Sequence, residues 1–199
     1  MSETEKTSRR GGRLFVVSGP SGSGKTTLCK QAVEHVDARL SVSATTRPQG
    51  RNEIDGVDYF FLSEPEFLQQ IQDGAFLEHA RVFDHYYGTP RPAVVEQLEA
   101  GLDVILEIDV QGAAQVFAAF DRAVGILVLP PSDDELRRRL TGRGRDAPEV
   151  IEKRLSKARE EIAQARAESH YRFTIVNDRL EAAIDDLVRI VEGQAGSIN

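Results

Sequence analysis

A chain of 199 residues, 40% hydrophobic and 29% charged, is long enough to bury a core without metal or disulfide staples, and its one cysteine cannot form an internal disulfide. A formal net charge of -7 excludes a general role on nucleic acid polymers or an anionic membrane, partners that reward a basic surface, so any anion site has to be a local cluster of Arg and Lys. No segment approaches the roughly 20 apolar residues of a membrane span, and residues 1–12 are polar, with neither the apolar centre of a signal peptide nor a glycine after Met1 for myristoylation. They read as a disordered tail on a cytoplasmic protein, leaving a single domain over 13–199.

Within that domain LFVVSGPSGSGKTT, residues 14–27, comes first. Leu14 to Ser18 has a buried-strand pattern, and Leu28, Cys29, Ala32, Val33 and Val36 recur at helical spacing after it, with Cys29 read as a small buried thiol. Between them stands G-x-x-x-x-G-K-T: Gly19, Pro20, Ser21, Gly22, Ser23, Gly24, Lys25 and Thr26, with Thr27 following. In such a P-loop the glycines let backbone N–H groups turn toward phosphate oxygens, Lys25 reaches the β and γ phosphates of a nucleotide, and the Thr26 hydroxyl suits Mg²⁺. The N-terminal end of the following helix adds positive potential.

Residues 39–45 alternate apolar with small polar side chains and predict a short strand, after which Arg47 and Arg51 bracket a Pro-Gln-Gly turn. VDYFFL, 57–62, is a further strand signal, and Ser63 with Glu66 makes a capping box for a helix that Gly74 closes. The stretch 75–88, aromatic and polar together, reads as a hairpin or irregular sheet lining a pocket. A helix over 90–100, ended by Gly101, leads to an apolar strand over 103–110 whose acids, Glu107 and Asp109, fall near its C-terminal end. In an α/β sheet that end faces the crevice where ligands bind.

A helix over 111–120 and a strand over 123–129 follow, then a second capping box, Ser132 with Glu135. A long helix over about 148–168 keeps Ile151, Leu155, Ala158, Ile162 and Ala165 on one face and Arg154 off it, and a strand over 173–176 and a helix over 180–191 close the chain. This βα rhythm predicts an α/β fold of the P-loop NTPase type, a parallel five-stranded sheet flanked by helices. The core spans 13–45, 90–132 and 155–199, a small mixed-sheet insertion spans 46–89, and a helical lid spans 133–154.

Two clusters point to a kinase. Phosphoryl transfer asks for positioning and neutralisation of charge on the moving group, which mobile arginines supply; Arg139, Arg143 and Arg154 fit a closing lid, and the glycines flanking Arg143 favour that over a solvated basic helix face. The insertion and the strand that enters it hold what a nucleoside monophosphate needs: Arg47, Arg51, Tyr59 and Tyr87 for the phosphate, Ser43, Glu78 and Thr89 for the base. A carboxylate at 78 complements the N1–H and N2–H donors of guanine and would be left unpaired against adenine. The acceptor phosphate, with a second pKa of about 6, is already a nucleophilic dianion at neutral pH, so no general base is required. His79, His85 and His170 accordingly read as structural or surface residues.

The motifs SGPSGSGKTT, SVSATTRP, DGVDYFF, FLEHARVFDHYYGT, LEIDVQG, LRRRLTGRG, KRL and IVND together resemble those of the guanylate kinases, over almost the whole stretch from Leu14 to Val191. The resemblance implies phosphoryl transfer from ATP, with Mg²⁺, to GMP, giving ADP and GDP, with ATP and GMP as the partners. It implies that Ser43, Glu78, Thr89 and Asp109 contact the guanine, that Arg47, Tyr59 and Tyr87 hold the GMP phosphate, and that Arg139, Arg143 and Arg154 close over the transferring group. Asn177 stands where the family has a residue near the adenine, and is equally a turn residue before the last helix. Two positions depart from the family pattern. Gly50 stands where a second phosphate-binding arginine is usual, so either Arg51 reaches in from a shifted turn or one contact is weakened; and Glu107 replaces a more usual Asp, with polarising Mg²⁺-bound water or orienting Arg47 as its alternative roles. A P-loop kinase for another phosphorylated small molecule, such as a ribose bisphosphate, and a non-catalytic guanylate-kinase-like binding module are the rival readings. A homo-oligomer is compatible with the chain.

Overall fold

The computed structural model describes residues 11–82, 84–142 and 148–194. In chain order the elements are β1 (Leu14–Ser18), α1 (Lys25–Ala32), β2 (Ala38–Leu40), β3 (Ala44–Thr45), β4 (Phe60–Phe61), α2 (Glu64–Gln72), β5 (Phe76–Val82) and β6 (His85–Pro90). There follow α3 (Arg91–Glu99), β7 (Asp103–Glu107), α4 (Val110–Ala119), β8 (Val124–Leu129), α5 (Asp133–Thr141), α6 (Pro148–Ala167), β9 (Tyr171–Val176) and α7 (Leu180–Val191). They build two sheets: a five-stranded one of order β2-β7-β1-β8-β9 and a four-stranded one of order β4-β3-β6-β5.

Every neighbouring pair in the larger sheet is parallel. Strands covered on both faces need apolar side chains in both directions, and β1, buried at all five positions, meets that demand. Phe15 and Val17 pack with Leu28, Cys29 and Ala32 of α1 and with Leu187 and Ile190 of α7. Leu14 and Val16 face the other way, into a core closed by Val94 of α3 and by Val116 and Phe117 of α4. Cys29 is fully buried, and burial pushes its thiol pKa up, which suits a packing role.

The smaller sheet is mixed, with β3 parallel to β4 and antiparallel to β6, and β5 antiparallel to β6. It packs under α2, whose N-terminus is the expected capping box: the Ser63 side chain accepts from the Glu66 N–H and the Glu66 carboxylate accepts from the Ser63 N–H. Helices α2 and α3 are C-capped by Asp73 and Ala100, each followed by a glycine of positive φ, Gly74 and Gly101.

Several elements differ from the sequence expectation. The strand expected over 39–45 is two strands on different sheets, β2 and β3, because the chain leaves the large sheet and joins the small one within a few residues. The strand expected over 57–62 shrinks to Phe60–Phe61, the span that finds a partner in β3. The strand expected to reach 110 ends at Glu107, and Asp109 instead caps α4 by accepting from the Gly112 N–H at 2.7 Å. The second capping box is half formed: the Ser132 hydroxyl accepts from the Glu135 N–H, but the Glu135 carboxylate turns to Arg138 and Arg139. On α6, Glu161 is buried where Ile162 was expected, and Ile162 is only partly covered. The tail over 1–10 and the part of the lid over 143–147, with Arg143, lie outside the described residues. Among the described residues no helix is long and apolar enough to cross a membrane.

Candidate active site

The C-terminal end of β1 delivers the chain into the P-loop, and α1 begins at Lys25 without any side-chain cap on its first N–H groups. Uncapped N–H groups at a helix start are an anion site. Gly24, the residue before that helix, has φ +93°, and a Cβ there would stand 2.4 Å from the Asn177 amide nitrogen. Only glycine satisfies both constraints. Asn177 is buried beneath the loop, where its amide donates to the Ser23 carbonyl at 2.8 Å, and Arg139 donates to the Asn177 carbonyl at 2.8 Å and to the Ser23 carbonyl at 3.5 Å. Both residues thus brace the loop from the side away from the cavity.

Lys25 curls back over the loop, donating to the carbonyls of Gly19 at 2.7 Å and Pro20 at 3.1 Å. Burial lowers its pKa from the usual lysine range, while Glu107, Glu161 and Asp109 pull it back up. The Thr26 hydroxyl donates to Glu107 at 3.0 Å. Glu107 thus lies beside Thr26, while Arg47 pairs with Glu53.

A cavity of about 380 Å³ opens between the P-loop and the small sheet. Gly19, Ser21, Gly22, Gly24, Lys25, Thr26 and Thr27 line one side; Ser43, Tyr59, Glu78, Tyr87, Glu107 and Asp109 line the other. Glu78, at 6% exposure, is the most buried of the carboxylates lining the cavity, and it accepts from the Thr89 hydroxyl at 2.7 Å. Burial raises its carboxyl pKa to about 7, against the hydrogen bond from Thr89 and with the help of the Asp109 charge. The close packing is enforced by Gly112, where a Cβ would meet Glu78 Oε2 at 2.6 Å.

Arg47 lies beside this cavity, with its guanidinium 5.4 Å from the Tyr59 ring centroid and paired to both carboxylate oxygens of Glu53, at 2.9 and 2.7 Å. Glu53 also accepts from the Gly50 N–H at 2.6 Å, so one carboxylate holds Arg47 and the turn together. Arg51 sits exposed on that turn and is not brought to the cavity. Arg154 donates to the Ser21 hydroxyl at 2.8 Å and so joins α6 to the P-loop. His170 stacks on Phe117 and pairs with Glu168, away from the cavity.

Sequence reasoning missed Glu53, Gly112, Lys157 and Glu161. Lys157 and Glu161 line the cavity from α6, yet in the sequence they form an i,i+4 pair of opposite charge, the usual mark of a solvated helix face. Gly112, inside a helix, carried no turn signal.

A P-loop on the C-terminal edge of a parallel sheet, facing a small mixed sheet across a cavity lined by charged side chains, defines a P-loop kinase of the α/β class. The guanylate kinase family model matches residues 11–194. The chain is 53% identical to the guanylate kinase of Neisseria gonorrhoeae over 183 residues, covering 92% of this chain and 88% of that one. It is 47% identical to the guanylate kinase of Caldanaerobacter subterraneus subsp. tengcongensis over 184 residues, with coverages of 92% and 88%. The crystal structure of guanylate kinase from Anaplasma phagocytophilum matches with a TM-score of 0.76 at 32% identity, covering 96% of this chain and 89% of that one. The chain belongs to the guanylate kinase family.

Proposed function

We propose that the cavity is a two-nucleotide site, with ATP phosphates in the P-loop and GMP on the small sheet. The chain transfers a phosphoryl group from ATP to GMP, giving ADP and GDP. The observation that carries the site assignment is the burial of Glu78 in the same cavity as Lys25. A carboxylate there has its two oxygens to offer to guanine N1–H and N2–H, and a sugar phosphate has no edge to match it. Ser43, Thr89 and Asp109 complete the base side, Thr89 by holding Glu78 and Asp109 from the start of α4.

Arg47, Tyr59 and Tyr87 serve the GMP phosphate, with Glu53 presetting the arginine. Arg51 has no place in that set from its exposed turn. Lys25 exchanges the carbonyls of Gly19 and Pro20 for phosphate oxygens and stabilises charge on the γ-phosphoryl group. Arg154 covers the transfer from α6, Arg139 supports the loop through Ser23 and Asn177, and Asn177 acts on the ATP side through the loop. Arg143 keeps its expected lid role. The oxygen donors Thr26 and Glu107, 3.0 Å apart at the mouth of the loop, fit Mg²⁺, which takes few protein ligands beside phosphates. Bound there, the ion would neutralise charge on the β and γ phosphates. Domain boundaries follow the same division, core, GMP-binding insertion and lid, and the enzyme works in the cytoplasm.

The test is a coupled assay with ATP and GMP, AMP or UMP as acceptor. GMP is the expected preferred acceptor, and Lys25→Ala is expected to lower kcat at least about 100-fold. Another preferred acceptor, or turnover unchanged in Lys25→Ala, overturns the assignment.

A further inference from the structure

Four carboxylates line the cavity, Glu78, Glu107, Asp109 and Glu161, and among the described lining residues the cations are Lys25 and Lys157. A phosphoryl group crossing such a space carries its own anionic oxygens, so each inward-facing cation matters to the barrier. Lys157 comes from α6, three residues beyond Arg154, whose guanidinium touches Ser21 of the donor loop. Three residues of helix advance about 4.5 Å. Four residues further on, Glu161 is 7% exposed and faces the same cavity, with its Oε1 3.6 Å from Lys157 Nζ. Positions 154, 157 and 161 share one stripe of the helix, and that stripe runs from Ser21 of the P-loop along the wall of the cavity.

A buried carboxylate beside a phosphate site is unfavourable unless it holds a cation there. Glu161 has such a cation in Lys157, which is otherwise a long, half-exposed side chain with much rotamer freedom to lose.

We propose that Lys157 is a further catalytic residue of the phosphoryl transfer, and that Glu161 is the positioning residue that holds its ammonium over the path between the two nucleotides. The proposal rests on the assignment of this cavity to ATP and GMP. A wild-type chain without GMP-dependent turnover defeats that assignment, whereas the measurements below are made on an active wild type and bear on Lys157 alone.

The experiment is a double-mutant cycle read by steady-state kinetics, with Lys157→Met, Lys157→Arg, Glu161→Gln and the pair Lys157→Met/Glu161→Gln. Lys157→Met is expected to lower kcat about tenfold or more with both KM values within about threefold, and Lys157→Arg to recover most of the loss. Glu161→Gln, isosteric and able to keep the fold, is expected to lose a smaller share of kcat, and the double variant to be no slower than Lys157→Met, because both act through one ammonium. A kcat within about twofold of wild type in Lys157→Met overturns the catalytic role, and a loss confined to KM reassigns Lys157 to ground-state binding. Losses that multiply in the double variant overturn the positioning role of Glu161.

Discussion

Glu78 holds its carboxylate where little water reaches, with one oxygen on the Thr89 hydroxyl and the other against Gly112. Its pKa, raised from 4.5 to about 7, makes the nucleotide-free protein pH-sensitive in a definite direction. Between those values the folded chain binds more protons than the unfolded one, so this group makes stability fall as pH rises through the window. The full penalty, present above pH of about 7, is on the order of 3 kcal/mol. Glu78→Gln is expected to remove that slope, matching the wild type near pH 4.5 and exceeding it in chemical denaturation above pH 7, while raising KM for GMP at least about tenfold. A wild-type slope retained in the variant would show that the carboxyl titrates elsewhere. Guanine N–H donors favour the charged form, so GMP binding near pH 7 should also release protons, measurable by calorimetry in buffers of different ionisation enthalpy.

At the scale of elements, the small sheet is too slight to be stable alone: β3 and β4 have two residues each, and its buried cluster is Ala44, Phe67 and Phe76. Phe67 of α2 is fully buried, stacked on Phe76 with ring centroids 4.4 Å apart and on Tyr86 at 5.5 Å. Truncating it leaves a cavity that this four-stranded sheet, with so small a buried cluster, cannot collapse to fill. Phe67→Ala is expected to cost about 3–5 kcal/mol, felt locally, with faster amide exchange in β3–β6. KM for GMP rises and KM for ATP stays near wild type, because the P-loop rests on the other sheet. Equal changes in both KM values would show that the two sheets unfold as one unit.

At the scale of the molecule, the insertion is tied to the core at several points, among them the two hydrogen bonds between Gln115 of α4 and the His79 backbone of β5. Lys30 of α1 pairs with Asp58 of the insertion at 3.0 Å, and α6 touches the P-loop through Arg154 while lining the cavity with Lys157 and Glu161. If the cavity holds two nucleotides as proposed, a helix that touches both of its sides couples them, since ordering it for one nucleotide lowers the cost of binding the other. Each nucleotide at about 100 times its Kd contributes about 2.7 kcal/mol of stability. With ADP and GMP together, the rise in Tm is expected to exceed the sum of the two separate rises; simple additivity in a thermal melt would mean that the pockets are independent.

The chain order alone determined the P-loop, the parallel βα core, the hairpin and the candidate carboxylate Glu78, because each is written in local signals: glycine spacing, period-two or period-3.6 burial, caps, and a carboxylate among hydroxyls. What only the tertiary structure decided depends on neighbours far apart in the chain. Asp109 and Glu107 share a stretch, yet one caps a helix and the other meets Thr26, because the strand stops where its partners in the sheet stop. Asn177 and Arg139 brace Ser23 across separations of 154 and 116 residues. Arg47 finds Glu53 instead of Glu107, while Arg51, one residue past the usual position, is left on the outer side of its turn. Lys157 and Glu161 read as an ordinary exposed ion pair until the packing of α6 against the P-loop buries Glu161 and sets the still exposed Lys157 at the rim of the cavity; local periodicity says which residues share a helix face, and only the fold says what that face covers.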